Sequence, residues 1–245
     1  MKNGIAQITT GQFAELAGSV VACLPRQGFN AQYYIENPSA LRALLREAFV
    51  PMPVTGSDED IAVIKLRWQN FYKKYFNLNL DFSAVEVPDY QLGFDWIIFI
   101  PQGLAIQQVL KVIKKKMKVY LYKDGLSDKD IASNDRDAKN GHYVVRFGKV
   151  SEADEETKNL SANDLAKQKI TGCTLLEGLV MTLVYFEETG EQLDINNFTL
   201  CSGSRYADSG VPYVGWSSDG SALRVYWSST DYSNSVLRAR LVVSC

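Results

Sequence analysis

The sequence predicts an α+β chain, with a smaller helical N-terminal region over 1–83 and a mixed domain over 84–245. Three observations carry this. Apolar residues of the first third recur at helical spacing. Short β-branched runs begin near residue 95. Beyond Gly190 the helical period gives way to two-residue alternation, broken by Ser, Gly and Asp clusters.

Asn37 before Pro38 is a cap and first-turn signal, followed at helical spacing by Leu41, Leu44, Leu45 and Phe49. A second helix starts at Ser57, with Asp58, Glu59 and Asp60 where carboxylates suit the helix dipole. Its apolar face is Ile61, Ile64, Trp68, Phe71, Tyr72 and Tyr75, a packed-core stripe in preference to a partner groove. DWIIFI at 95–100 reads as a buried strand. Residues 103–117 then form a helix faced by Ile106, Val109, Leu110, Ile113 and Met117. VYLY at 119–122 and YVVRF at 143–147 are strands on either side of a polar loop, and 151–168 is polar as well. The last helix spans 174–189, with Gly190 at its C-terminal cap.

Apolar residues make up 46% of the chain and charged ones 22%, the balance of a globular protein. The net charge of −2 gives no electrostatic reason to seek nucleic acid or an anionic membrane. No signal peptide and no apolar run of membrane-spanning length can be read. The expectation is therefore a cytoplasmic protein by default, with surface display through a partner. Cys23, Cys173, Cys201 and Cys245 form no CxxC pair, which excludes a zinc ribbon. Two states are open for the tail pair, a Cys201–Cys245 disulfide or reduced structural thiols, and a reducing compartment favours the second.

Catalytic patterns find no support. The single histidine, His142, lies at a turn end, and neither GxSxG nor HExxH occurs. Asp58–Asp60 and Asp154–Glu156 lack the spacing of a calcium loop. Lys111, Lys114, Lys115, Lys116 and Lys118 could face phosphates, but they occupy the positions that the apolar stripe of the 103–117 helix leaves free, as a solvated face does. The expectation is a binding protein, not an enzyme, with no cofactor, no metal and no nucleic acid.

The tail differs in composition. From Leu193 to Cys245 there is no Lys, Glu, Gln or Met, whereas the preceding 192 residues hold 16, 12, 11 and 4 of them. β-Structure depletes these types without removing all four. Residues 202–236 instead hold 10 Ser, 4 Tyr, 4 Gly and one Asn, the palette of paratopes, in which Tyr gives rigid amphipathic area and Ser, Gly and Asn adaptable contacts. Alternation argues against a flexible linker. In ALRVYW, Leu223, Val225 and Trp227 share one face and Arg224 and Tyr226 the other. In VPYVGW, Val214 and Trp216 face in while Tyr213 and Gly215 face out. LRARLVV puts Leu237, Ala239, Leu241 and Val243 on one face.

On these residues (CSGSRY at 201–206, VPxVxW at 211–216, LxVxW at 223–227 and LRARLVVS at 237–244) the chain resembles the variable proteins of diversity-generating retroelements, of the archaeal and candidate-phylum type. The resemblance covers about two-thirds of the chain and leaves the role of residues 1–83 unknown. It implies a C-type-lectin-like domain over 84–245 with a variable region over about 202–240. It also implies a genetic mechanism. Template adenines are randomised, so AAC codons become NNC, which cannot encode Lys, Glu, Gln, Met or Trp. Within 202–236 only Trp216 and Trp227 break that rule, both at scaffold positions of the alternation. The EPN, QPD and WND motifs of calcium-dependent sugar binding are missing.

The resemblance further implies a diversified binding site formed by Tyr206, Ala207, Asp208, Tyr213, Gly215, Ser217, Ser218, Asp219, Ser221, Arg224, Tyr226, Ser228, Ser229, Asp231, Tyr232, Ser233 and Asn234. Trp216, Leu223, Val225, Trp227, Leu237 and Ala239 would anchor the frame. Arg205, Arg238 and Arg240 would pin loops. The implied partner is a protein, on a partner cell or virus surface. A fixed-specificity adhesin or virion attachment module on the same fold is the alternative.

Overall fold

The computed structural model describes Gln32 and residues 58–245. The helix expected after Pro38 lies outside the described residues, as does Cys23. The unit described below is Pro53–Cys245, one of two into which the chain divides. It is a mixed α+β unit with four α-helices and three sheets among the described residues.

Helix α1 (Asp58–Phe76) presents the aromatic stripe read from its sequence and buries Trp68 and Tyr72. Both rings have a polar end that needs a partner once buried. The Trp68 indole Nε1–H donates to the Ile97 carbonyl at 3.1 Å, and the Tyr72 hydroxyl to that of Phe99 at 2.6 Å. These bonds fasten α1 to β1 (Trp96–Ile100), so a helix that the sequence groups with residues 1–83 shares the main core with the strands beyond it.

Three antiparallel strands form the smaller sheet, β1, β4 (Tyr143–Phe147) and β10 (Val243–Ser244), with β4 in the middle. Helix α2 (Ile106–Ile113) buries Ile106, Val109, Leu110, Val112 and Ile113. It is shorter than the stretch read as helical. Lys115 and Lys116 donate to Val112 and Ile113, three residues back, so the last turn tightens while Met117 stays on the apolar side. The lysines at 111, 114, 115, 116 and 118 are exposed.

The larger sheet has the order β2 (Val119–Leu121), β8 (Ala222–Ser228), β7 (Val211–Ser217), β5 (Phe198–Leu200), β9 (Leu237–Ala239). β7 and β8 form an antiparallel hairpin; β2 joins β8 in parallel, β5 joins β7 antiparallel, and β9 joins β5 in parallel. A two-stranded ribbon pairs β3 (Ile131–Asn134) with β6 (Ser204–Tyr206). Helix α4 (Leu175–Thr189) packs against β1, β7 and α2. Thr174 and Glu177 close a capping box at its start, and Gly190, at φ 76°, ends it in the left-handed conformation. Gly178 allows α4 to lie on β7, since a Cβ there would come within 3.1 Å of Val214 Cγ1. The short helix α3 (Ala162–Lys167) sits on the opposite side of the larger sheet. There Ala162 and Leu165 meet Leu200, Val211, Leu237 and Ala239 in a second small core.

The alternation read over 237–243 ends at Ala239. Arg240 is buried, Leu241 is half-buried, and β10 joins the other sheet. The chain changes sheets where the Arg240 guanidinium meets Asp194 at 2.6 Å, both side chains 1% exposed. Beside them Asp154 accepts from the Leu241 N–H at 2.5 Å. Burial pushes the Asp154 carboxyl up to about 6, although the Leu241 bond and Arg240 pull it down. A carboxyl whose folded value exceeds its unfolded value of about 4 holds its proton more tightly in the folded chain, so stability falls as pH rises from about 4 to about 6. Between pH 7 and pH 5 the native chain is expected to gain stability relative to Asp154→Asn, by at most about 1.4 kcal/mol per pH unit. Urea midpoints at the two pH values check this. Parallel shifts in the two proteins would assign the effect to other groups.

Candidate ligand-binding surface

The two faces of the larger sheet have different fates. Val214, Leu223 and Val225 point into the main core with α4, as their alternation requires. On the other face, the part over β5 and β9 is covered by α3. Among the described residues no helix lies over β2, over β8 up to Tyr226, or over β7 beyond Val211. There the register places Tyr120 beside Arg224, Arg224 beside Gly215, and Tyr226 beside Tyr213. Side chains of paired residues share a face, so these form one patch.

The patch is aromatic. Ring centroids run from Tyr206 to Tyr122 (4.8 Å), Tyr122 to Tyr226 (6.1 Å), Tyr226 to Tyr213 (6.0 Å) and Tyr213 to Phe198 (5.3 Å). A depression of about 590 Å³ is lined by Tyr120, Leu121, Tyr213, Asp219, Gly220, Arg224 and Tyr226. Burial pushes the Tyr213 hydroxyl above its ordinary value and Arg224 partly offsets this, while nearby Tyr226 and Tyr232 raise it further. The Tyr120 ring has two close neighbours, the Lys118 ammonium 4.6 Å from its centroid and Gly220, where a Cβ would lie 2.9 Å from the ring.

Of the expected site residues, Ala207, Asp208, Ser218, Asp219, Ser221, Tyr226, Ser229, Asp231, Tyr232 and Ser233 are exposed. Tyr213, Arg224 and Asn234 are half-buried. The Asn234 side-chain oxygen is already engaged, accepting from the Val236 and Leu237 N–H groups. Four expected positions are corrected. Tyr206 is 2% exposed, because β6 belongs to the ribbon with β3 and turns the ring onto Tyr122. Gly215 is on the outward face but lies under Phe198. Ser217 is buried beside Ala222 at the base of the hairpin turn. Ser228 is buried opposite Val211, which belongs to the small core under α3.

The frame also differs at one end. Leu223, Val225, Leu237 and Ala239 are buried, and Trp216 is half-buried against the main core. Trp227 follows the inward alternation but is 40% exposed, since it lies past the end of the core and rests on Gly210. Arg205 donates to the Ser202 and Ser204 carbonyls, Arg238 pairs with Glu155, and Arg240 pairs with Asp194, each pinning a loop.

Tyr120 and Tyr122 are the site residues that sequence reading missed. Their signal was the same alternation, with Val119 and Leu121 opposite Tyr120 and Tyr122, but nothing local says that β2 joins β8. Elsewhere, His142 Nδ1 accepts from the Gln102 N–H at 2.9 Å and its ring meets Phe82 edge-on, a turn-end role. Cys173 and Cys201 are buried free thiols and Cys245 an exposed one. Among the described residues no group of three or more His, Cys, Asp or Glu is gathered to hold a metal ion, and no helix is long and apolar enough to cross a membrane. Comparison with known proteins gives no match: no family model, no curated protein and no solved structure is similar to this chain.

Proposed function

We propose that this chain is a ligand-binding, receptor-like protein on a C-type-lectin-like framework, a variable protein of a diversity-generating retroelement whose Tyr213–Arg224–Tyr226 surface takes protein ligands. One observation carries the reading. A single hairpin has a buried apolar face and, on its other side, tyrosines around an arginine, so that outward residues such as Arg224 and Tyr226 can change without touching the core. Exposed tyrosine and arginine are the side chains that dominate protein recognition.

A catalytic reading gains nothing from the thiols. Burial pushes the Cys201 thiol well up, the reverse of what a nucleophilic cysteine requires.

Two outcomes are expected. Tyr226, 44% exposed, should tolerate alanine with a stability change within about 0.5 kcal/mol, while ligand affinity falls. Tyr213→Ala should cost both, because its ring packs on Phe198 in the small core. The genetic part is tested at the locus. A near-identical repeat with AAC opposite the codons of Tyr213, Arg224 and Tyr226 is expected. A locus with neither a repeat nor a neighbouring reverse transcriptase would overturn it and leave a fixed-specificity binder.

A further inference from the structure

The seven arginines among the described residues separate into six and one. Arg67 and Arg136 pair with Glu188 and Glu177, and Arg238 and Arg240 with Glu155 and Asp194. Arg146 donates to the Pro88 carbonyl, and Arg205 to those of Ser202 and Ser204. Arg224 alone has no acceptor among the described residues, although it is half-buried in the middle of the uncovered sheet face. The hydroxyls of Tyr120, Tyr213 and Tyr226, which line the same depression, are likewise uncommitted there. A guanidinium has five N–H donors and no acceptor, and its planar fork matches a carboxylate in two parallel bonds.

Resting on the reading of this face as a binding surface, we propose that the depression takes a carboxylate from a protein partner, an Asp or Glu side chain flanked by apolar atoms, with Arg224 as its counter-ion and Tyr120 as a wall. Charge and shape both favour this occupant. Lys118 adds a second positive charge over the Tyr120 ring, and Asp219 is the one acidic residue in the lining. The tyrosine rings share the depression with the guanidinium, and a partner docked on them would displace water from it, which strengthens a charge-assisted bond formed there. Their faces accept the methylenes and aliphatic or aromatic neighbours of an acidic side chain. The Tyr120 ring already touches Gly220 and has the Lys118 ammonium over it, so it loses less freedom on contact than an unsupported ring would. Tyr120 lies outside the 202–240 segment, so one wall of the site is constant whatever the tail presents.

A displayed library of random dodecapeptides, selected on the full chain, tests this. The peptides recovered should carry Asp or Glu beside an apolar residue in excess of the unselected library. Changing that residue to Asn or Gln should weaken binding at least tenfold. Arg224→Gln should cause the same loss, and the two changes together no more than either alone. Arg224→Lys should retain part of the affinity, which separates loss of charge from loss of fold. Tyr120→Ala should weaken every acidic peptide. Recovered peptides that depend on Tyr226 but show no acidic excess and no response to Arg224→Gln would overturn the carboxylate and leave the binding surface standing. Selection that yields no peptide sensitive to Tyr226→Ala or Arg224→Gln would overturn both.

Discussion

Replacing Arg240 with alanine is expected to destabilise the chain by about 3–5 kcal/mol, the cost of leaving a buried charge without its partner. The guanidinium donates to Asp194 Oδ1 (2.6 Å), Thr199 Oγ1 (3.0 Å) and the carbonyls of Val150 (3.0 Å) and Ser151 (3.2 Å). The Thr199 hydroxyl donates in turn to Asp194 Oδ2 at 2.6 Å, and the Trp216 N–H donates to the Asp194 carbonyl at 2.9 Å. Removing Arg240 strips four acceptors at once and strands a carboxylate that burial already pushes above its ordinary range. For a chain of this size the melting temperature should fall by roughly 6–20 °C. Replacing both partners, Arg240→Met with Asp194→Leu, should recover part of that, because no charge is then left in the core. A loss below about 1 kcal/mol would mean that water reaches the pair and that it is worth no more than a surface bridge. The consequence for the binding face is indirect. This network joins β5, β7 and the crossing of the chain between sheets, so it fixes the underside of the patch and not its contacts.

That network was only half legible in the sequence. Arg240 can be recognised as an arginine that pins something. Its carboxylate, 46 residues away, cannot be chosen from among the 28 acidic residues without the fold. The same divide runs through the rest of the molecule. Segments whose burial is decided by their own period were readable: α1, β1, α2, β4 and α4, and within the hairpin the inward Leu223 and Val225 against the outward Arg224 and Tyr226. Segments decided by a distant partner were not. β3 is four residues inside a polar loop, and its pairing with β6 is broken by a bulge between Ile131 and Ser133, which erases the alternation. α3 is too short for a helical period, and its one signal was the Ser161–Asp164 capping box. Alternation also says which way a side chain points without saying what stands over it. Trp227 points inward where the core has ended, and Ser228 points outward where α3 and its loop cover the sheet.

Gly215 is the sharpest case of that last distinction, and substituting it should separate display positions from framework. It faces the same side as Tyr213 and Arg224, so by alternation it belongs with the changeable set. A Cβ there would lie 2.8 Å from Phe198 Cδ1, 2.9 Å from the Asn197 carbonyl oxygen and 3.1 Å from Phe198 Cα. The ring could swing aside, but the two backbone atoms belong to β5 and its approach, and they cannot move without opening the β5–β7 pairing. Gly215→Ala is therefore expected to cost about 1–3 kcal/mol, the usual range for overpacking. Gly215→Tyr should cost more and should leave little folded protein. Tyrosine at Ser229, an exposed site in the loop beyond β8, should change stability by no more than about 0.5 kcal/mol. Thermal melts of the variants make the comparison. For the proposed genetic mechanism the consequence is concrete. A template able to randomise codon 215 would spend most of its output on unfolded chains, so the repeat should lack AAC at that codon and carry it at 213, 224 and 226. If Gly215→Tyr melted with the native chain, Phe198 would not cover this position, and the uncovered face would extend across β7 to β5.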